Sequence, residues 1–219
     1  MTDWITRWKE GKIGWHKNQP NSKLIEFIDC LELGENTRVF VPLCGKSVDM
    51  LYFLEKSFKV LGVELSELAV EQFFVENKLD FTMKKSDKFM VFSAKNIDIY
   101  CGDYFDLNAQ ILSQVSAVYD RGALIALPAD LRVKYTQHLE VILPSNCRLL
   151  LLTLNYPQVQ IDGPPFAVNQ AEVEVLFKGF ECQQLQCFDD IQNEPKFQEA
   201  GVEFLEKAAY YLCKDPYKG

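Results

Sequence analysis

"RVFVPLCGKSVDM", residues 38–50, decides how the chain is read. Val39, Phe40 and Val41 run into Pro42, a short turn holding Gly45-Lys46-Ser47, and a second apolar set from Met50. Strand, tight turn and helix in that order open an α/β unit. Gly-Lys-Ser suggests a phosphate-binding loop, which needs a glycine five positions before Gly45 so that successive amides curl around phosphate. Position 40 is Phe, and Pro42 offers no N–H. A second reading fits better. The first strand-to-helix turn of an open α/β sheet is the usual ligand crevice, and an acid about twenty positions on accepts ribose hydroxyls. Glu64, in "VLGVELS", stands 19 residues after Gly45. The three-glycine dinucleotide fingerprint is missing, which disfavours NAD or FAD and leaves a nucleoside without pyrophosphate, commonly S-adenosylmethionine. A turn glycine with a strand-end acid occurs in many α/β proteins, so spacing alone does not choose.

Outward from this stretch, short apolar runs alternate with helical ones. Strands are expected at 37–43, 59–64, 97–101, 116–120, 147–155, 180–187 and 207–213, with 89–92 as a hairpin partner of 97–101. Helices are expected at 48–56, 66–77, 105–114, 129–142 and 169–177. Strands apolar on both faces and separated by helices indicate a doubly wound, mostly parallel sheet. Residues 1–36 differ: three tryptophans stand among polar residues, and Asn21 or Ser22 can cap a helix reaching about Leu31. One domain over 1–219, with 1–36 as an extension and 37–219 as sheet core, is the economical reading.

Composition narrows the function. A net charge of −8 and no Lys/Arg run disfavour nucleic acid and anionic membrane surfaces. No apolar run reaches the length of a membrane span, and Met1-Thr2-Asp3-Trp4 does not open a signal peptide. Seven scattered cysteines without Cys-x-x-Cys, beside two histidines, support neither a disulfide framework nor a metal site. Most of these thiols read as small core residues, and the chain as cytoplasmic and reduced.

Six segments in order carry a resemblance: "WITRWKEGKIGWH", "VFVPLCGKSVDM", "VLGVELSELAVEQFF", "YCGDYFDL", "VYDRGALIALP" and "TLNYPQVQIDGPPFAV". Together they resemble the bacterial thiopurine S-methyltransferases over nearly the whole length. The resemblance implies a class I methyltransferase fold, a seven-stranded sheet of order 3-2-1-4-5-7-6 under an N-terminal covering segment. It implies methyl transfer from S-adenosylmethionine, leaving S-adenosylhomocysteine, to an aromatic or heterocyclic thiol, by a monomer. It also implies roles. Trp8 and Leu43 wall the cofactor, Glu64 accepts the ribose hydroxyls, and Asp103 and Tyr104 meet adenine. Arg121 lies between the methionine portion and the acceptor, where it serves catalysis. Trp15 and Phe166 face the substrate.

Each residue also has a plainer reading. Trp4 and Trp8 share a helix face, Asp103 can cap the following turn, and Asp120 can pair with Arg121. His16 can be a base or a hydrogen-bonded structural histidine. Cys44 and Cys101 read as packing residues, because methyl transfer needs no covalent intermediate. An NAD(P)-linked reductase, a non-catalytic module, and selenium or tellurium acceptors remain as alternatives.

Overall fold

Strand β1 (Arg38–Val41) stops where Pro42 removes a backbone donor. The computed structural model describes residues 3–14, 16–35 and 37–214. Trp15, expected to face the substrate, lies outside the described residues. The chain divides into two compact units. One comprises residues up to Tyr119 with Ile142–Pro144; the other comprises Asp120–Val141 and residues from Ser145 onward.

In the first unit, α1 (Trp4–Lys9) and α2 (Ser22–Phe27) precede β1. Asn21 caps α2 by accepting from the Lys23 amide at 2.8 Å, and a 3-10 turn carries the helix on to Leu31. Then come α3 (Asp49–Glu55), β2 (Lys59–Glu64), α4 (Glu67–Glu76), β3 (Thr82–Ser86), β4 (Phe89–Ala94), β5 (Ile97–Cys101) and β6 (Val115–Arg121), whose last two residues count with the second unit. Their order is β3-β4-β5-β2-β1-β6. β5, β2, β1 and β6 run parallel, while β4 and β3 fold back antiparallel. The four parallel strands reproduce the 3-2-1-4 part of the implied order. Val39, Phe40, Val60, Leu61 and Ile99 are fully buried, as strands covered on both faces require. Phe74 packs on Phe81 and Phe92 at centroid distances of 4.9 and 6.3 Å, each buried ring contributing about 2 kcal/mol.

The second unit contains α5 (Ala129–Ile142), β7 (Arg148–Asn155), α6 (Gln170–Leu176), β8 (Phe180–Asp189), α7 (Pro195–Glu199) and β9 (Glu206–Lys214). β7, β9 and β8 are neighbours in that order, paired antiparallel, matching the 5-7-6 part. Tyr156, Phe197, Val202 and Leu205 make a small separate core. No described helix is long and apolar enough to cross a membrane.

The structure departs from expectation in three places. Among the described residues nine strands form, against the seven of the implied fold. One of the added pair, β4, covers the expected hairpin partner 89–92; the other, β3, gave no signal because all five of its residues are exposed and carry no alternation. Asp87 and Asn96, with φ of 50° and 64°, supply the left-handed positions of the two hairpin turns. No helix forms over 105–114. A 3-10 turn at Tyr104–Asp106 is followed by turns in which Asn108 accepts from the Ile111 amide at 3.0 Å. Side chains that bond local backbone this way compete with helix propagation. Among the cysteines only Cys44 and Cys147 are buried; Cys182 and Cys187 are exposed on β8, the last strand in its order.

Candidate active site

The turn after β1 is bonded to β2. Cys44 N–H donates to the Val63 carbonyl at 2.9 Å, and Gly45 N–H to Glu64 Oε2 at 2.8 Å. Two amides that a phosphate or pyrophosphate would need are thereby committed to the neighbouring strand. Lys46 turns away as well, its Nζ 2.7 and 2.9 Å from the Glu76 carboxylate on α4. Neither the phosphate-loop nor the dinucleotide reading survives this geometry. Leu43 and Gly45 adopt left-handed φ of 45° and 53°. Leu43 is half-buried beside the turn. A side chain on Gly45 would place its Cβ 2.9 Å from Trp8 Cζ2, so the indole from α1 rests directly on the turn.

Glu64 ends β2 with its carboxylate buried, 7% exposed. One oxygen accepts from Gly45 N–H and the other from Ser66 N–H, each at 2.8 Å. Burial pushes its pKa up, while the Ser66, Gly45 and Leu65 amides pull it back. The carboxylate is a staple between the turn and the start of α4. Ser66 caps that helix through Ala69 N–H at 3.3 Å. Gly102 N–H donates to the Glu64 carbonyl at 2.9 Å, bringing the chain after β5 to the same strand end. There Tyr104 is buried, whereas Asp103 is exposed and accepts from Phe105 N–H at 2.9 Å. Asp103 therefore does act as a cap.

Burial, followed by the Glu64 charge, raises the Cys44 thiol well above its ordinary range, and burial takes Cys101 to about 11. Neither thiol is suited to act as a nucleophile.

Arg121 and Phe166 belong to the second unit. Arg121 is half-buried at the end of β6. The preceding Asp120 is fully buried and accepts from Ala123 N–H, Leu124 N–H and the Tyr135 hydroxyl at 3.0, 3.2 and 2.7 Å. Phe166 is half-buried and its N–H donates to the Ile125 carbonyl at 2.7 Å.

Burial raises Asp120 from 3.8 to about 6 against its three donors. The folded protein then keeps a proton that the unfolded chain has released. Stability from this group is fully present below about pH 4 and lost as pH rises to about 6, by up to about 3 kcal/mol. Asp120→Asn, with the Tyr135 hydroxyl turning to accept from the amide, is expected to flatten that slope in melts between pH 4 and 7. An unaltered slope would assign the titration elsewhere.

The structure thus gathers Trp8, the Leu43–Gly45 turn, Glu64 and the start of the Asp103–Tyr104 segment at one strand end. Four residues escaped the sequence reading. Ser66 had a visible signal, a serine just before an apolar helix. Lys46 was noticed only as part of a phosphate motif. Gly62 has to be glycine because a Cβ there would lie 2.8 Å from Cys44 Sγ. Asp49, 1% exposed, accepts from Asn21 N–H at 2.7 Å and the Tyr119 hydroxyl at 3.1 Å, tying the N-terminal segment to β6.

The chain is similar to known proteins over almost its whole length. The family described as Thiopurine S-methyltransferase matches residues 1–215. The thiopurine S-methyltransferase of Nitrosospira multiformis is 45% identical over 210 residues, 95% of this chain and 96% of that one. That of Pseudomonas entomophila is 43% identical over 211 residues, 96% and 98% of the two chains. Among solved structures, a SAM-dependent methyltransferase from Anabaena variabilis aligns with a TM-score of 0.65 over 96% of this chain and 93% of that one. At 17% identity it is a likeness of fold. With the family matched almost end to end and relatives above 40% identity over the same span, the chain belongs to the thiopurine S-methyltransferase family.

Proposed function

We propose that this protein transfers a methyl group from S-adenosylmethionine to the sulfur of an aromatic or heterocyclic thiol, thiopurines among them. The observation that carries the reading, within this family, is the buried Glu64 carboxylate fixed at the first strand-to-helix turn. A carboxylate has about four acceptor positions, and the neighbouring backbone amides leave part of that capacity for a ribose diol. The chemistry of the site therefore fits the donor. When bound, S-adenosylmethionine supplies a methyl group on a sulfonium sulfur and leaves as S-adenosylhomocysteine.

The chain's own residues bind, orient and exclude water. Glu64 takes the ribose hydroxyls. Trp8 and Leu43 wall the donor, and Asp103 and Tyr104 serve adenine. Arg121 favours the acceptor as thiolate by proximity of opposite charge and is the catalytic residue of this reading. Trp15 and Phe166 provide the acceptor's aromatic walls. A thiolate loses its charge as it is methylated, so a water-poor lining of Trp and Phe favours the step. We read the chain as one functional domain with residues 1–36 as its cover, acting as a cytoplasmic monomer on small molecules. The net charge of −8 supports the absence of nucleic-acid and membrane partners.

The test is mass spectrometry of thiols incubated with the protein and methyl-labelled donor. Label is expected on sulfur; label on no thiol of the panel would reject the proposal. Arg121→Ala is expected to lower kcat about 100-fold with donor affinity within about threefold. Parallel loss of donor affinity would move Arg121 from catalysis to binding.

A further inference from the structure

The segment from Ile161 to Ala167 carries Phe166 and can do little to hold itself. Pro164 and Pro165 have no N–H, and Gly163 sits at φ 69°. Three of its backbone groups are satisfied by two side chains. Gln158 Nε2 donates to the Ile161 carbonyl at 2.7 Å and to the Tyr156 hydroxyl at 3.0 Å. Gln158 Oε1 accepts from Ala167 N–H at 2.7 Å. The Tyr156 hydroxyl donates onward to the Pro165 carbonyl at 2.6 Å. One amide therefore grips both ends of the loop, and one hydroxyl grips its middle. The amide has a single orientation, because the Ile161 carbonyl can only accept and the Ala167 amide can only donate.

The clamp is itself anchored. Tyr156 is 3% exposed and meets the Phe197 ring edge-on at 5.2 Å. On the far side, Phe166 N–H reaches the Ile125 carbonyl, in the 3-10 turn whose Leu124 amide is held by Asp120. The Phe166 ring lies 2.8 Å from where a Cβ on Gly163 would stand, so the loop folds closely on its own aromatic. Every clamp group is neutral. The clamp can alter where the ring lies without changing the charge an acceptor meets.

We infer that Gln158, with Tyr156, is a specificity-determining positioning pair: by fixing the loop it sets the place of Phe166 and so selects which thiols fit. This rests on the reading of Phe166 as an acceptor wall. The test uses the full chain with Gln158→Leu and, separately, Tyr156→Phe, and with 6-thiopurine and thiophenol as acceptors. Each variant should raise the KM for 6-thiopurine about tenfold with kcat within about twofold, because a misplaced wall weakens acceptor binding more than the methyl transfer itself. The kcat/KM preference between the bicyclic and monocyclic thiols should shift about fivefold in each variant. Calorimetric affinity for S-adenosylmethionine should stay at the wild-type value. Should Gln158→Leu fail to fold, Tyr156→Phe, which removes one oxygen, carries the test alone. A lowered melting temperature with an unmoved acceptor preference would overturn the inference, as would loss of donor affinity. Wild-type protein that methylates neither thiol overturns the proposed function and this inference with it; active wild type with an unmoved preference overturns the inference alone.

Discussion

Glu64→Ala is expected to weaken S-adenosylmethionine binding about 100-fold or more, since hydrogen bonds to a charged acceptor contribute about 1.5–3 kcal/mol each. It should also cost stability. The carboxylate serves the Gly45 and Ser66 amides, and its removal strands two donors at a buried position. Unmet buried donors cost about 1–3 kcal/mol apiece, so a loss near 3 kcal/mol and a fall in melting temperature of about 6–12 °C are expected. Glu64→Gln should lie between, because its amide keeps one acceptor and turns a donor toward the other N–H. Calorimetry and thermal melts on the same samples separate the two effects. A lowered melt with full donor affinity would make Glu64 a structural staple only.

Gly45→Ala is the second large effect. At φ 53° a side chain costs about 1–2 kcal/mol by itself, and the new Cβ would meet the rigid Trp8 ring at 2.9 Å. We expect a total loss of about 2–3 kcal/mol and about tenfold weaker donor binding as the indole is pushed off the turn. Adding Trp8→Ala to Gly45→Ala should return the part due to the clash and leave the backbone part, a coupling of about 1 kcal/mol. Strict additivity of the two substitutions would show that Trp8 does not rest on the turn in solution.

These two residues also show what could be read from sequence. The spacing of Gly45 and Glu64 announced that the turn and the strand end belong together, because strand–turn–helix and a strand-end acid are local patterns. The parallel core was equally legible: β2, β5 and α5 fall within their expected spans, since apolar runs and helical periodicity survive without knowledge of partners. What could not be read depends on neighbours distant in sequence. The Trp8 contact with Gly45 and the Gly62 contact with Cys44 leave no periodic trace. β3 is exposed throughout and owes its strand to pairing with β4, so no apolar pattern marks it. The Gln158 clamp combines polar side chains with carbonyls of a proline-rich loop, where composition says only that a loop exists.

The central claim is that the Glu64 carboxylate holds the ribose of the methyl donor. It is tested most directly by titrating wild type and Glu64→Ala with S-adenosylhomocysteine and with its 2′-deoxy analogue. Deleting the hydroxyl should cost the wild type about tenfold or more in affinity and cost the variant almost nothing, because the bond is already gone. An equal loss in both proteins would place the ribose elsewhere and contradict the account.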